Sequence, residues 1–360
     1  MKLLYITNGI NGAGGLERVL SIKASKLADD LGYEVSILVL NNANTDCFYE
    51  FSPNIKMLSI NVSGNPLQYW KSYKDGIKKT VAELQPDIIS VCDDGLKAFF
   101  VPKILNHRKG IIYERHVSKL IDAHSADSWM KKLRTKIVWN IMDQKAKSFD
   151  KFVVLTEGNK KEWPNLTNIL SIANPVSFYP AQTSSLDQKT VICVGKIAYQ
   201  KGQDLLVKAW DIVHRRFPDW KLQLYGKENL NILDTHHLPE GVDFFPPEKN
   251  IQEKYLDSAI YVMASRYEGF GMVLTEAMAC GVPCVSFNCD YGPSDIITDG
   301  VDGFLAEKEN VRDLADKLMA LMQDDAKRKE MGSKARASVS RYLPDTIAAE
   351  WDHLFREITA

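Results

Sequence analysis

Short apolar runs alternate with amphipathic stretches along the whole chain. KLLYIT (2–7), EVSILVL (34–40), IKMLSI (55–60), DIISVC (87–92), GIIYE (110–114) and KFVVL (151–155) predict six strands. Between the first two, Leu16, Val19, Leu20, Ala24, Leu27, Ala28 and Leu31 recur with the period of an α-helix. Strands that are apolar on both faces, separated by helices, predict a parallel sheet covered on both sides. The stretch SFYPAQTSSLDQ (177–188) has Pro, Ser and no apolar period, as a linker does. Beyond it the rhythm restarts with TVICVG (190–195), WKLQLYG (220–226), GVDFF (241–245), AIYVMA (259–264) and VPCVSF (282–287). A last helix opens at Pro344, the favoured first helical position, and carries Ile347, Trp351, Leu354 and Phe355 on one face.

The expected fold is therefore α/β, with two Rossmann-like domains facing each other across a cleft. A length of 360 residues suits two domains, and 45% apolar with 25% charged residues is ordinary for a globular chain. Disordered, collagenous, coiled-coil and disulfide-stapled classes are excluded. The net charge is −1, but residues 1–180 carry 24 Lys and Arg against 18 Asp and Glu, an excess of +6, and the remainder carries −7. A chain polarised this way does not read as a general nucleic-acid binder, although one basic domain can meet an anionic partner. No run approaches the ~18 apolar residues of a transmembrane helix. The opening MKLLYIT reads as a strand rather than a secretory signal. Cys47, Cys92, Cys193, Cys280, Cys284 and Cys289 form no CxxC pair. The cluster Cys280, Cys284 and Cys289 reads as small buried residues rather than metal ligands, and the expected compartment is the reducing cytoplasm.

Three segments carry chemistry. The loop Asn8-Gly-Ile-Asn-Gly-Ala-Gly-Gly15 joins the first strand to its helix, where backbone amides can approach a phosphate. It is not the dinucleotide fingerprint: Glu17 occupies the last glycine position, and the second strand ends Leu40-Asn41-Asn42 without a carboxylate for a ribose. A nicotinamide oxidoreductase is thereby disfavoured. The second segment is Glu268-Gly-Phe-Gly-Met-Val-Leu-Thr-Glu276, a loop running into a helix that ends near Cys280 at Gly281 and Pro283. Glu268 lies in the loop and Glu276 more than a turn into the helix. The amides of Gly271, Met272, Val273 and Leu274 are expected free at the positive end of the helix dipole, a seat for a diphosphate. The third is Ile111-Ile-Tyr-Glu-Arg-His116, which places His116 at the carboxyl edge of a strand, where α/β sheets bind ligands. Asp93-Asp94 stands at another strand end and reads as a turn and helix cap rather than a metal site.

EGFGMVLTEAMACGVPCVS resembles the hallmark of the retaining glycosyltransferases of family 4, which have the GT-B fold. The likeness extends to VGKIAYQKGQDLLVKAW (194–210), YGPSDIITDGVDGFL (291–305) and Gly14-Gly15-Leu16-Glu17-Arg18. The resemblance implies that Glu268 meets the donor sugar and Glu276 the ribose, with the backbone amides of Phe270, Gly271, Met272, Val273 and Leu274 binding diphosphate and sugar. It implies that Lys196 and Lys201 clamp the leaving diphosphate, that Gly14 and Gly15 approach the donor, and that His116 faces the reaction centre. Lys196 stands where the family more often has Arg, which keeps the charge and loses the fork geometry. Phe245-Pro-Pro-Glu-Lys-Asn250 falls where the family places its base-binding loop.

The implied activity is retaining transfer of a hexose from a nucleoside-diphosphate sugar, UDP being the commonest choice, to a saccharide or lipid-linked saccharide in surface polysaccharide assembly. It needs no metal and no cofactor beyond the donor. A non-catalytic nucleotide-sugar-binding subunit and another GT-B enzyme such as a nucleotide-sugar epimerase stand as alternatives. Expected boundaries are an acceptor-side domain over 1–178, joined by 342–360 crossing back, and a donor-binding domain over 179–341. The returning helix lowers the first domain's excess to about +3 through Asp345, Glu350, Asp352 and Glu357 against Arg356. Finally, Trp129, Leu133, Ile137 and Ile141 recur every four residues among Lys131, Lys132, Arg134 and Lys136. Such a helix can rest on an anionic bilayer at the inner face of the membrane, or turn its apolar side to the core. The sequence leaves both open.

Overall fold

A computed structural model describes residues 1–41, 46–120 and 129–360. Asn42, named above, lies outside the described residues. The chain divides into two compact units, Met1–Pro175 with Pro344–Ala360, and Val176–Leu343.

In the first unit seven parallel strands run in the order β3-β2-β1-β4-β5-β6-β7. They are β1 (Lys2–Ile6), β2 (Glu34–Leu40), β3 (Lys56–Ile60), β4 (Ile88–Val91), β5 (Ile111–Glu114), β6 (Lys151–Val154) and β7 (Ile169–Ser171). The first six fall on the runs read from the sequence, and β7 is additional. Helix α1 (Gly15–Asp29) buries Val19, Leu20, Ala24, Leu27 and Ala28 as the period requires, but also Ser21 and Lys23. Leu31, expected on its apolar face, lies past the helix end and is exposed. Helices α2 (Pro66–Leu84) and α3 (Trp129–Ala146) follow. Asn65 caps α2 through a reciprocal bond with Gln68.

The second unit holds six parallel strands in the order β10-β9-β8-β11-β12-β13. These are β8 (Thr190–Val194), β9 (Lys221–Tyr225), β10 (Val242–Phe245), β11 (Ile260–Met263), β12 (Cys284–Phe287) and β13 (Gly303–Ala306), the last not expected from the sequence. Between them lie α4 (Gln203–His214), α5 (Ile251–Leu256) and α6 (Met272–Ala279), and then α7 (Val311–Met322) and α8 (Asp325–Val339). Trp210, Leu222, Ile260, Val285 and Leu318 are among the side chains that seal its core.

Helix α9 (Pro344–Thr359) returns to the first unit. It packs against α1, with Phe355 6.0 Å from the Tyr33 ring. Asp352 accepts a 2.6 Å bond from the Tyr33 hydroxyl, and Lys26 and Lys151 pair with Asp345 and Glu357. Chain order reverses between β1 and β4 in one sheet and between β8 and β11 in the other. Such switch points, at the carboxyl ends of strands, are where open α/β sheets take ligands.

Candidate active site

The loops after β8 and β11 flank the second unit's switch point, and they are stitched together. Arg266 donates its backbone N–H to the Gln200 carbonyl at 2.8 Å, and the Gln200 amide donates to the Tyr267 carbonyl at 3.2 Å. The Arg266 guanidinium forks onto both oxygens of Asp204 at 2.9 and 2.7 Å and reaches the Tyr199 carbonyl at 2.6 Å. Burial alone would raise the Asp204 carboxyl, but this fork holds it below its ordinary range. Gly202 makes the approach possible. Its φ is +65°, and a Cβ there would lie 1.9 Å from the Ala264 carbonyl oxygen.

The stitching brings Lys201 to Glu268. The ammonium lies 2.7 Å from the Glu268 carboxylate, which also accepts a 2.6 Å bond from the Ser265 hydroxyl. The Glu268 backbone is pinned too, donating to the Asp290 carbonyl and accepting from the Tyr291 amide. Lys196 stands exposed in the same loop as Lys201, its carbonyl accepting from Gln203.

Gly271 opens α6 with φ +100°, the left-handed region that favours glycine. One correction follows for the amides expected there. The Leu274 N–H bonds back to the Gly271 carbonyl at 2.9 Å, because the left-handed cap folds the first turn tightly. It is therefore not free for a phosphate, which leaves Gly271, Met272 and Val273 of the four. Phe270 is buried edge-on against Tyr342, with 5.5 Å between ring centres, so its side chain is a wedge and only its backbone is on offer. Glu276 is buried on α6, accepting from Ser177 at 2.8 Å and from the Tyr255 hydroxyl at 3.3 Å. Phe245 stacks on Tyr225 across the ends of β10 and β9, 4.8 Å apart, just before the Pro-Pro loop.

Gly14, Gly15 and His116 belong to the first unit. Both glycines are exposed at the start of α1, and Gly14 is its cap. His116 follows β5 and lies with Nε2 3.2 Å from Glu114. A carboxylate only accepts, so Nε2 carries a proton. The ring's Nδ1 is buried and meets no hydrogen-bond partner among the described residues. Glu114 is sealed at the sheet: the Lys23 ammonium pairs with one oxygen and the Ser90 hydroxyl bonds the other. Burial would raise its carboxyl, yet Lys23 and His116 hold it down at about 2. Trp351 of α9 closes over the Lys23 ammonium, 4.0 Å from the ring centre. Cys92, Glu114 and His116 lie close enough to share a cation, and Lys23 already pairs with the Glu114 oxygen that His116 also meets.

Asp93 bonds the Gly95 amide at 2.8 Å and Asn8 at 2.6 Å and pairs with Lys97, which is the turn read from the sequence. Cys280, Cys284 and Cys289 are all buried, at the end of α6, on β12 and just beyond it. Burial pushes all three thiols up, Cys280 to about 12, so all three stay protonated at neutral pH.

Sequence reasoning did not single out Ser265, Arg266, Asp204, Lys23 or Glu114. Arg266 stands two residues before Glu268 and Asp204 three after Lys201, a pattern that foreshadows pairing only once the loops are known to be adjacent. Lys23 has no such signal, since a lysine on an amphipathic helix reads as solvated.

Comparison with known proteins gives a consistent result. The family model described as Glycosyl transferases group 1 matches residues 178–338. An uncharacterized glycosyltransferase of Haemophilus influenzae is 30% identical, covering 97% of this chain and 98% of that protein. The amylovoran biosynthesis glycosyltransferase AmsD of Erwinia amylovora is 28% identical over 98% of this chain and 99% of its own. Among solved structures, Alr3699/HepE of Anabaena in complex with UDP superposes with a TM-score of 0.78 at 19% identity, covering 99% of this chain and all of that one. Matched from end to end by a 30% identical relative, and over its second unit by the group 1 model, the chain belongs to the glycosyltransferases and has the GT-B fold.

Proposed function

We propose that the second unit binds a nucleoside-diphosphate sugar and that the chain transfers its hexose, with retention, to a saccharide or lipid-linked saccharide of a surface polysaccharide. The observation that carries this reading is the Lys201–Glu268 pair beside the amino end of α6. A cation with part of its surface open, a fixed carboxylate and unspent helix amides suit a leaving diphosphate next to a sugar bearing hydroxyls.

In this mechanism the bond from the anomeric carbon to the β-phosphate oxygen breaks as the acceptor oxygen attacks the same face. The departing phosphate takes the acceptor proton. Lys201, Lys196 and the amides of Gly271, Met272 and Val273 stabilise the charge that builds on the phosphate, without a metal ion. Glu268 orients the sugar hydroxyls and Glu276 the ribose. In the first unit, which is proposed to shape the acceptor side, the buried His116 Nδ1 hydrogen-bonds a substrate hydroxyl, and Gly14 and Gly15 offer backbone to a substrate phosphate. UDP is the proposed nucleotide, supported by the UDP complex of HepE, and polysaccharide synthesis by the likeness to AmsD. The proposed place of work is the cytoplasm.

Nucleotide release from a panel of uridine, guanosine and adenosine diphosphate sugars, with and without saccharide acceptors, tests the reading. Acceptor-dependent release of UDP, unaffected by EDTA, with a product of unchanged anomeric configuration by NMR, is expected. A wild-type protein that binds donors but never releases nucleotide would be a binding subunit instead. Near wild-type turnover in both Glu268→Ala and Lys201→Ala would remove the site.

A further inference from the structure

We infer that helix α3 docks the first unit onto an anionic lipid bilayer. The helix carries two apolar faces. Met142 and Ala146 are buried, with Val138 and Trp139 partly so, and these hold α3 against the sheet. On the other side Trp129, Met130, Leu133 and Ile137 are 73, 62, 50 and 53% exposed. Successive residues turn by about 100°, so Trp129, Leu133 and Ile137 fall within about 80° of one another, with Met130 alongside and all away from the core face. The sequence left open whether the four-residue apolar repeat met the core or a membrane. Its first three members face outward.

An exposed stripe of large apolar side chains calls for a partner, and the charges around it select one. Lys132 and Lys136 flank the stripe on one edge and Arg134 on the other, all exposed. No Asp or Glu occurs between Trp129 and Met142. An apolar strip with an aromatic at its end and cations on both margins matches a bilayer surface, with apolar side chains in the acyl boundary and cations among the phosphates. A protein partner would bring acidic side chains to specific cations and is the less economical match for a margin whose charges from Trp129 to Met142 are all positive, Asp143 beyond them being paired with Lys119.

A groove adjoins the Arg134 edge of the helix through Lys145. Arg134 and Lys145, about three turns apart, share an edge. The Lys145 ammonium lies 5.5 Å from the Phe100 ring centre. Phe100, Trp70 and Ile104 floor a groove of about 550 Å³ whose rim is Lys74, Lys78 and Lys103. A lipid lying there would place acyl carbon on the aromatic floor and its phosphate among the rim lysines. None of these side chains belongs to the donor site, so the inference does not rest on the proposed transferase chemistry.

Flotation of the full chain with vesicles tests it. The wild type should bind phosphatidylglycerol–phosphatidylcholine vesicles and bind pure phosphatidylcholine at least about tenfold more weakly. Salt near 1 M, where the screening length is about 3 Å, should release it. Leu133→Glu/Ile137→Glu, and separately Lys132→Glu/Arg134→Glu/Lys136→Glu, should each lower binding at least about tenfold with an unchanged circular dichroism spectrum and melting temperature. The inference is overturned if the wild type ignores anionic vesicles, if it binds neutral ones equally, or if both variants bind as the wild type does. Nucleotide release with a soluble acceptor, measured on the same preparations, reads the transferase independently.

Discussion

Each unit sets a lysine against a buried glutamate beside a strand end, and the two pairs are built for different work. Lys23 and Glu114 are each 2% exposed, closed over by Trp351 and tied to Ser90 and His116. Lys201 is 21% exposed against 6% for Glu268, next to a helix that begins at a glycine. A sealed pair has no way to exchange partners, so its cost of desolvation is met only by keeping every contact. A pair open on one side lets the ammonium turn to an incoming anion while Ser265 keeps the carboxylate satisfied. The first pair therefore positions His116 and joins α1, β5 and α9, and the second is available for chemistry.

Breaking the sealed pair should have the largest effect. Lys23→Ala leaves a buried carboxylate without its lysine, held only by Ser90 and His116, and should destabilise the chain by roughly 3–5 kcal/mol, read as a lower urea midpoint. Lys201→Ala should do the opposite: nucleotide release falls about 10²–10³-fold while stability changes by no more than about 1 kcal/mol. If both variants lose stability equally, the contrast between the pairs is wrong.

Acid sharpens it further. The folded Glu114 carboxyl is held near 2, against an ordinary value of 4.5, so the unfolded chain takes up the proton first as pH falls. The stabilisation is complete above about pH 5 and disappears as pH drops through 2, a loss of roughly 3 kcal/mol. A Lys23→Met/Glu114→Gln double variant should lack this part of the acid transition, and an identical pH–stability profile would show that Glu114 is not its source. The smallest effect is expected at Lys196, exposed beside the site. Lys196→Ala should lower turnover about tenfold, and Lys196→Arg should restore it, consistent with a point charge helping the leaving group.

Much of the fold was legible because strands buried on both faces announce themselves as continuous apolar runs. β7 (ILS) and β13 (GFLA) escaped because neither offers a run of more than three large apolar residues, β7 being three residues long and β13 opening on a glycine. The site was legible only where its signal is local. Glu268, the glycine cap and Glu276 sit on nine consecutive residues, so their placement on a loop and a helix could be read directly. Lys201 reached the expected set through the likeness of its segment to a known family, not through any property of the segment itself. Lys23 stayed hidden because its partner is 91 positions away on another strand, and periodicity carries no information about that distance.

By itself, then, the sequence determined the strand–helix rhythm, the two parallel sheets and the glycine-capped helix between two glutamates. These are short-range consequences of burial and backbone conformation. Only the tertiary structure decided which charges became pairs, that the Leu274 amide is spent on its own turn, and which face of α3 meets solvent. Those outcomes depend on which loops the sheet order brings side by side and on which helix face the core has room to bury. Apolar and charged residues look alike in sequence whether they face a neighbour or water.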